Sequence, residues 1–218
     1  NGLGKNGDRA PMTVILSNQF YETDPNRDFK RGYMLQFARG TGIVNEAVQS
    51  AAVGRIPWGA GHHAAYRKKA YHRVQCGVAI EDLPEEHNRV VLDPDHRDSN
   101  GIPGAKIAYT MCENTIRMMD HGIARATEIL QAAGATDLYT SKTSLNSPGH
   151  LLGTARMGTD PERSVVNEWG RSHDVKNLFI VDGSIWVTGG GMNPTSTIQA
   201  LALYVADNIK QRLATLFD

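Results

Sequence analysis

The chain has 218 residues, enough for one large domain or two small ones at the usual roughly 100 to 200 residues per domain. Its 40% hydrophobic and 21% charged residues are those of an ordinary globular protein, not a disordered or fibrous one. Equal numbers of Lys+Arg and Asp+Glu, 23 each, argue against nucleic acid as the main partner, and no apolar run approaches the length of a membrane helix.

Asn1 to Arg9 lacks the charged and apolar regions of a signal peptide, and a first residue other than Met leads us to expect that the numbering begins inside a longer chain. The compartment stays open. Cys76 and Cys112 are too few for a disulfide framework and form no CxxC pair, so buried thiols are expected. Gly2, Gly4 and Gly7 satisfy the pattern of a dinucleotide loop. No strand precedes them, however, and Asp8, Arg9 and Pro11 follow where a helix should open, so they read as a decoy.

In chain order, Met12 to Leu16 reads as a strand, Glu22 to Arg31 as an exposed loop, Gly32 to Phe37 as extended and Ile43 to Val53 as a short helix. His62, His63 and His72 lack the spacing of a metal site and are assigned to a loop or solvated polar segment. The basic run at Arg67, Lys68 and Lys69 reads as a solvated face. Val74 to Ile80 and Arg89 to Leu92 are short β-prone runs, expected to pair with each other. A turn-rich connection from Asp93 to Gly104 and a strand at Lys106 to Tyr109 complete an antiparallel meander.

The clearest helix runs from Glu113 to Ala133. Ile116, Met119, Ile123, Ala126, Ile129 and Leu130 recur at helical spacing, and Gly134 stops it. Ser141 to Gly158, dense in Ser, Thr, Gly and Pro, suits an ordered loop. Leu178 to Val181 reads as a strand ending at Asp182-Gly183-Ser184, followed by the Gly-rich 189–191. A final helix from Pro194 to Leu213 carries Ile198, Leu201, Val205, Ile209 and Leu213 on one face. Asn193 is placed to cap it, with Pro194 at the first helical position.

Two blocks in this last part are specific. His150-Leu-Leu-Gly-Thr-Ala-Arg-Met-Gly158 and Asn177-Leu-Phe-Ile-Val-Asp-Gly-Ser184, with Gly190-Gly-Met-Asn-Pro-Thr-Ser-Thr197 behind the latter, resemble in order and spacing the glucose-methanol-choline oxidoreductase family. Weaker likeness extends upstream through Pro57-Trp58 and Asn88 to Pro94. The resemblance implies an α+β fold: a substrate lobe at 1–145 built on an antiparallel sheet with flanking helices. Residues 146–218 would then form a catalytic loop, strand and helix that complete a Rossmann-like FAD domain, whose amino-terminal part is absent from these 218 residues.

It also implies an FAD-dependent oxidation of the CH–OH group of a small-molecule alcohol, such as a sugar or polyol. His150 is the candidate base, because imidazole with an ordinary pKa of about 6.5 accepts a proton at neutral pH. Asn193 aligns with the position holding a second His or an Asn, where an amide hydrogen-bonds the substrate oxygen. Asp182 and Gly183 resemble the cofactor-contacting pair. Pro194 and Thr195 open a helix whose positive end suits the negative edge of reduced flavin. The other readings are a non-catalytic ligand-binding fragment of the same fold and, disfavoured by spacing, metal-dependent hydrolysis. Substrate identity and final electron acceptor are left open.

Overall fold

The computed structural model describes residues 13–39, 43–69, 72–142 and 150–215. The readings of Gly2, Gly4 and Gly7, of residues 143–149 and of the lobe boundary at 145 lie outside the described residues. In chain order the elements are β1 (Thr13–Ser17), β2 (Tyr33–Arg39), α1 (Ile43–Ala52), α2 (His62–Lys69), β3 (Val74–Ile80), β4 (Arg89–Arg97), β5 (Pro103–Ala108), α3 (Glu113–Ala132), a 3-10 turn (Gly183–Ile185) and α4 (Thr195–Arg212). The mixture of antiparallel strands and flanking helices is the α+β class expected.

The chain separates into two compact units. The first draws on Asn1–Thr23, Arg31–Ala79 and Asp120–Leu138, the second on Asp24–Lys30, Ile80–Met119 and Tyr139–Asp218. In the first unit, β1, β2 and β3 form a sheet in that order, with β1 antiparallel to β2 through pairs such as Leu16↔Gln36. Tyr33, Met34 and Leu35 are all fully buried, so β2 carries apolar cover on both faces where an edge strand would alternate. The Phe20 ring stacks on Tyr33 at 5.3 Å, and the Tyr33 hydroxyl lies 2.7 Å from Nδ1 of His121, tying the later turns of α3 to β2.

In the second unit, β4 and β5 form an antiparallel hairpin, with Val90↔Ile107 and Leu92↔Ala105 in register and a slip between Asp93 and Arg97. β3 therefore pairs with β2, and β4 does not pair with β3 as the meander reading required. The β4–β5 pairing has a local cause: Oδ1 of Asp98 accepts the N–H groups of Asn100 (2.8 Å) and Ile102 (2.9 Å), closing a tight turn at 98–102. The turn-rich stretch thus shrinks to that loop, and β4 runs on through Pro94 to Arg97. β3 instead pairs with β2 across the much longer 40–73 connection, a tertiary choice that loop length does not explain.

Helix α3 matches expectation in its bounds, and Gly134 follows it at φ +89°. Its buried stripe is Thr115, Met118, Met119, Gly122 and Ala126, whereas Ile116 and Ile129 lie on the exposed side. The expected α4 stripe holds around buried Val205, but Leu213 is exposed. Cys76 and Cys112 are half-buried free thiols, not fully buried ones, and burial pushes the Cys76 thiol up to about 11.

Small residues let α3 approach its neighbours closely. A Cβ on Gly122 would lie 2.4 Å from Cγ1 of Val78 and 3.3 Å from the Tyr33 ring. Gly122→Ala gains about 1 kcal/mol of helix propensity but forces an overlap costing roughly 1–3 kcal/mol, since Val78 cannot swing its methyl far. The expected outcome is a net destabilisation, seen as a lower midpoint in thermal unfolding; an unchanged or raised midpoint would contradict this packing.

Candidate active site

Among the described residues, the segment from His150 to Asp182 holds no helix or extended strand, yet its backbone is ordered by its own hydrogen bonds. The N–H groups of Gly153, Ala155 and Met157 donate to the carbonyls of Gly183 (3.2 Å), Ser184 (2.8 Å) and Ile185 (2.7 Å). Gly158 and Val165 extend the network, donating to Val166 (2.9 Å) and Arg156 (3.0 Å). Nε2 of His173 lies 2.9 Å from the Ser164 hydroxyl and 3.2 Å from the Gly158 carbonyl, so this histidine clamps the loop. Fully buried Val166 and Ile185 give the arrangement an apolar centre.

The 178–181 segment is extended but forms no strand in the structure. Ser172 donates to Leu178 (2.9 Å), Ile180 donates to Gly170 (2.8 Å), and an isolated bridge joins Arg171 to Phe179. Its β propensity is real, but a strand is defined by a continuous ladder, and here only three residues opposite supply one.

Asp182 begins the 3-10 turn. Its carboxylate accepts the Ser184 N–H at 2.8 Å, and hydrogen bonds from the Ser184 side chain and backbone hold its pKa below the ordinary carboxylate value. Gly183 is buried, and a Cβ there would sit 2.6 Å from Cδ2 of Leu152 and 3.0 Å from Cδ1 of Ile198. That pair, which the sequence reading missed, explains the glycine by close packing of the 151–152 backbone and α4.

The structure brings His150 and Asn193 together: Nδ2 of Asn193 is 3.3 Å from Nε2 of His150, and both residues are exposed. An amide N–H facing Nε2 suits the tautomer in which that nitrogen carries the lone pair. Asn193 does not cap α4. Pro194 occupies the N-cap with no side-chain bond, and the helix begins at Thr195. The amide nitrogen faces the histidine.

The first turn of α4 consequently carries backbone N–H groups without a side-chain cap, with Thr195, Ser196 and Thr197 exposed. Nε1 of Trp186 is a second donor, buried without a partner among the described residues. Both features suit an electron-rich group bound beside this segment.

His62 and His63 lie on α2, in the first unit, and not on a strand or loop. Nδ1 of His62 is 3.0 Å from the Pro57 carbonyl, and no cluster of three or more metal-ligating side chains occurs among the described residues. Arg67 and Lys68 are exposed as expected, while Lys69 pairs with Asp137 at 3.2 Å. A cavity of about 270 Å³ lined by Trp169, Arg171, Phe179 and Arg212 involves none of the expected site residues. No helix of the described residues is long and apolar enough to cross a membrane.

Comparison with known proteins bears on these two motif blocks. The model of a family described as GMC oxidoreductase matches residues 84–202. The chain is 42% identical over 205 residues to 2-methyl-1,2-propanediol dehydrogenase of Mycolicibacterium austroafricanum, covering 94% of this chain and 37% of that protein. It is 40% identical over 152 residues to 6'''-hydroxyparomomycin C oxidase of Streptomyces lividus, covering 68% and 28%. With the fructose dehydrogenase large subunit of Gluconobacter japonicus it shares 35% over 144 residues, covering 66% and 26%. The chain thus spans well under half the length of these curated relatives.

The Asp182 cap has a pH signature. Its lowered native pKa means that its contribution is fully present above the unfolded value of about 3.9 and is lost as pH falls through the native value. Asp182→Ala is therefore expected to melt below the parent protein at pH 7, with the gap closing in acid. A gap that stays constant from pH 7 to pH 3 would show that the carboxylate charge contributes nothing.

Proposed function

This chain belongs to the GMC oxidoreductase family, and we propose that it is the C-terminal part of an FAD-dependent enzyme oxidising the CH–OH group of an alcohol. The observation that carries the reading is the contact between Nε2 of His150 and Nδ2 of Asn193, at 3.3 Å, directly before the uncapped start of α4. Alcohol oxidation requires the hydroxyl proton to leave as a hydride departs from carbon. A neutral imidazole nitrogen is a competent acceptor at neutral pH. The Asn193 amide is a hydrogen-bond donor beside His150, of the kind that can stabilise the substrate oxygen as negative charge gathers there. The pair would thus bracket one hydroxyl group, base on one side and donor on the other.

Flavin, when bound, supplies the hydride acceptor. The residues present fit it: the uncapped N–H groups at Thr195 to Thr197 and the unpartnered Trp186 donor are suited to its electron-rich edge. In this reading Asp182, Gly183, Asn193, Pro194 and Thr195 line the cofactor, Asp182 and Gly183 through the backbone turn that they shape. Residues 1–145 form the substrate lobe and 146–218 return to the FAD domain. Two features support that return. The 178–181 segment is extended with only three residues opposite it, and α4 leaves Leu203 72% and Tyr204 60% exposed, apolar surface that a further domain would cover.

The relatives' names, which specify a propanediol, a hydroxyparomomycin and fructose, support a substrate of related chemistry. We take a polyol or sugar as the substrate here. In the complete protein, His150→Ala is expected to keep its flavin yet to slow substrate-dependent flavin bleaching by about 10²-fold or more, with Asn193→Ala losing a comparable factor. Bleaching at the parental rate in His150→Ala would remove His150 from its role. A protein that never carries flavin would favour the ligand-binding alternative.

A further inference from the structure

We propose that Glu81 is a positioning residue which, through Thr188, sets the Gly-rich segment 187–193 so that the Asn193 amide meets His150. The inference rests on the catalytic reading of that pair. Glu81 follows β3 directly and is only 9% exposed, although it carries a carboxyl group. Glutamate is seldom so deeply buried unless its oxygens are engaged. The Thr188 hydroxyl is 3.4 Å from Oε1 of Glu81, a contact across 107 residues of sequence, and also lies 3.5 Å from the Gly189 carbonyl.

The carboxyl group is itself held from a fixed point. Next to it, Asp82 accepts the Tyr109 hydroxyl at 2.7 Å on one oxygen and the Thr115 hydroxyl at 2.5 Å on the other. Burial, reinforced by the Asp82 hydrogen bond and charge, raises the Tyr109 pKa well above its ordinary value, so this hydroxyl stays a donor. The 81–82 backbone is therefore anchored on the Asp82 side, and Glu81 extends from it toward the loop.

The loop needs such a tether. Residues 189–191 are three successive glycines, the residue type with the most backbone freedom to lose. Delivering Asn193 to within 3.3 Å of His150 through so permissive a stretch calls for a restraint upstream of it. Thr188 sits immediately before the first glycine, and its bond to Glu81 is the restraint.

The test uses the complete flavin-bound protein. Thr188→Val keeps the shape and removes the donor; Glu81→Ala removes the acceptor. Each is expected to lower kcat about threefold, the low end of a hydrogen bond's worth for a contact as long as 3.4 Å, with KM altered less than about twofold and flavin content unchanged. Thr188→Ser should recover most of the rate, and amide hydrogen exchange across 187–193 should quicken in Thr188→Val. Because Thr188 acts through Asn193, the Thr188→Val/Asn193→Ala double variant should be no slower than Asn193→Ala alone. Multiplying effects, or a parental kcat in Thr188→Val, would overturn the proposal. If His150→Ala and Asn193→Ala also run at the parental rate, the catalytic reading has failed instead.

Discussion

Three backbone hydrogen bonds, from Gly153, Ala155 and Met157 to the carbonyls of Gly183, Ser184 and Ile185, set the geometry on which the site depends. They lay the loop that starts at His150 along the turn that leads to Asn193, joining parts of the chain some thirty residues apart. Side chains complete the register. Gly183 is buried under Leu152 and Ile198, and Asp182 fixes the turn by accepting the Ser184 N–H. Each bond alone is worth only about 1 kcal/mol, but together they leave the two segments little freedom to slide. The two family motifs are thus one structural object whose halves meet through their backbones.

Legibility in the sequence followed the strength of local signals. β3 and α3 could be placed almost to the residue, because their patterns are long and Gly134 ends the helix. Helix α2 was not legible: HHAAYRKK has no apolar stripe and buries no residue, so periodicity had nothing to report. β4 was read too short, since Asp93, Pro94 and Asp95 resemble a turn, whereas a mostly exposed two-stranded ribbon accepts them. The 178–181 segment shows the opposite error. Its propensity for a strand is clear, but the ladder that makes a strand belongs to neighbours, which no local pattern encodes.

His150 and Asn193 were found through motif resemblance, and neither helical nor strand spacing would have paired them. What the motif left open was how the amide of Asn193 divides its loyalties. An Asn before Pro is a natural helix cap, and only tertiary geometry shows Pro194 in that position and the amide facing His150. Thr188 and Glu81 lay beyond reach for a plainer reason. Their contact depends on two loops converging from opposite ends of the second unit's sequence, and neither residue stands out locally.

The openness of the His150–Asn193 pair has a consequence for how the site works. A hydrogen bond between exposed groups competes with water for both partners. Any surface that closes over the pair removes that competitor and lowers the local dielectric, strengthening the same bond without moving an atom. In the proposed reading the chain holds the base and the donor side by side, and a covering surface would strengthen their contact.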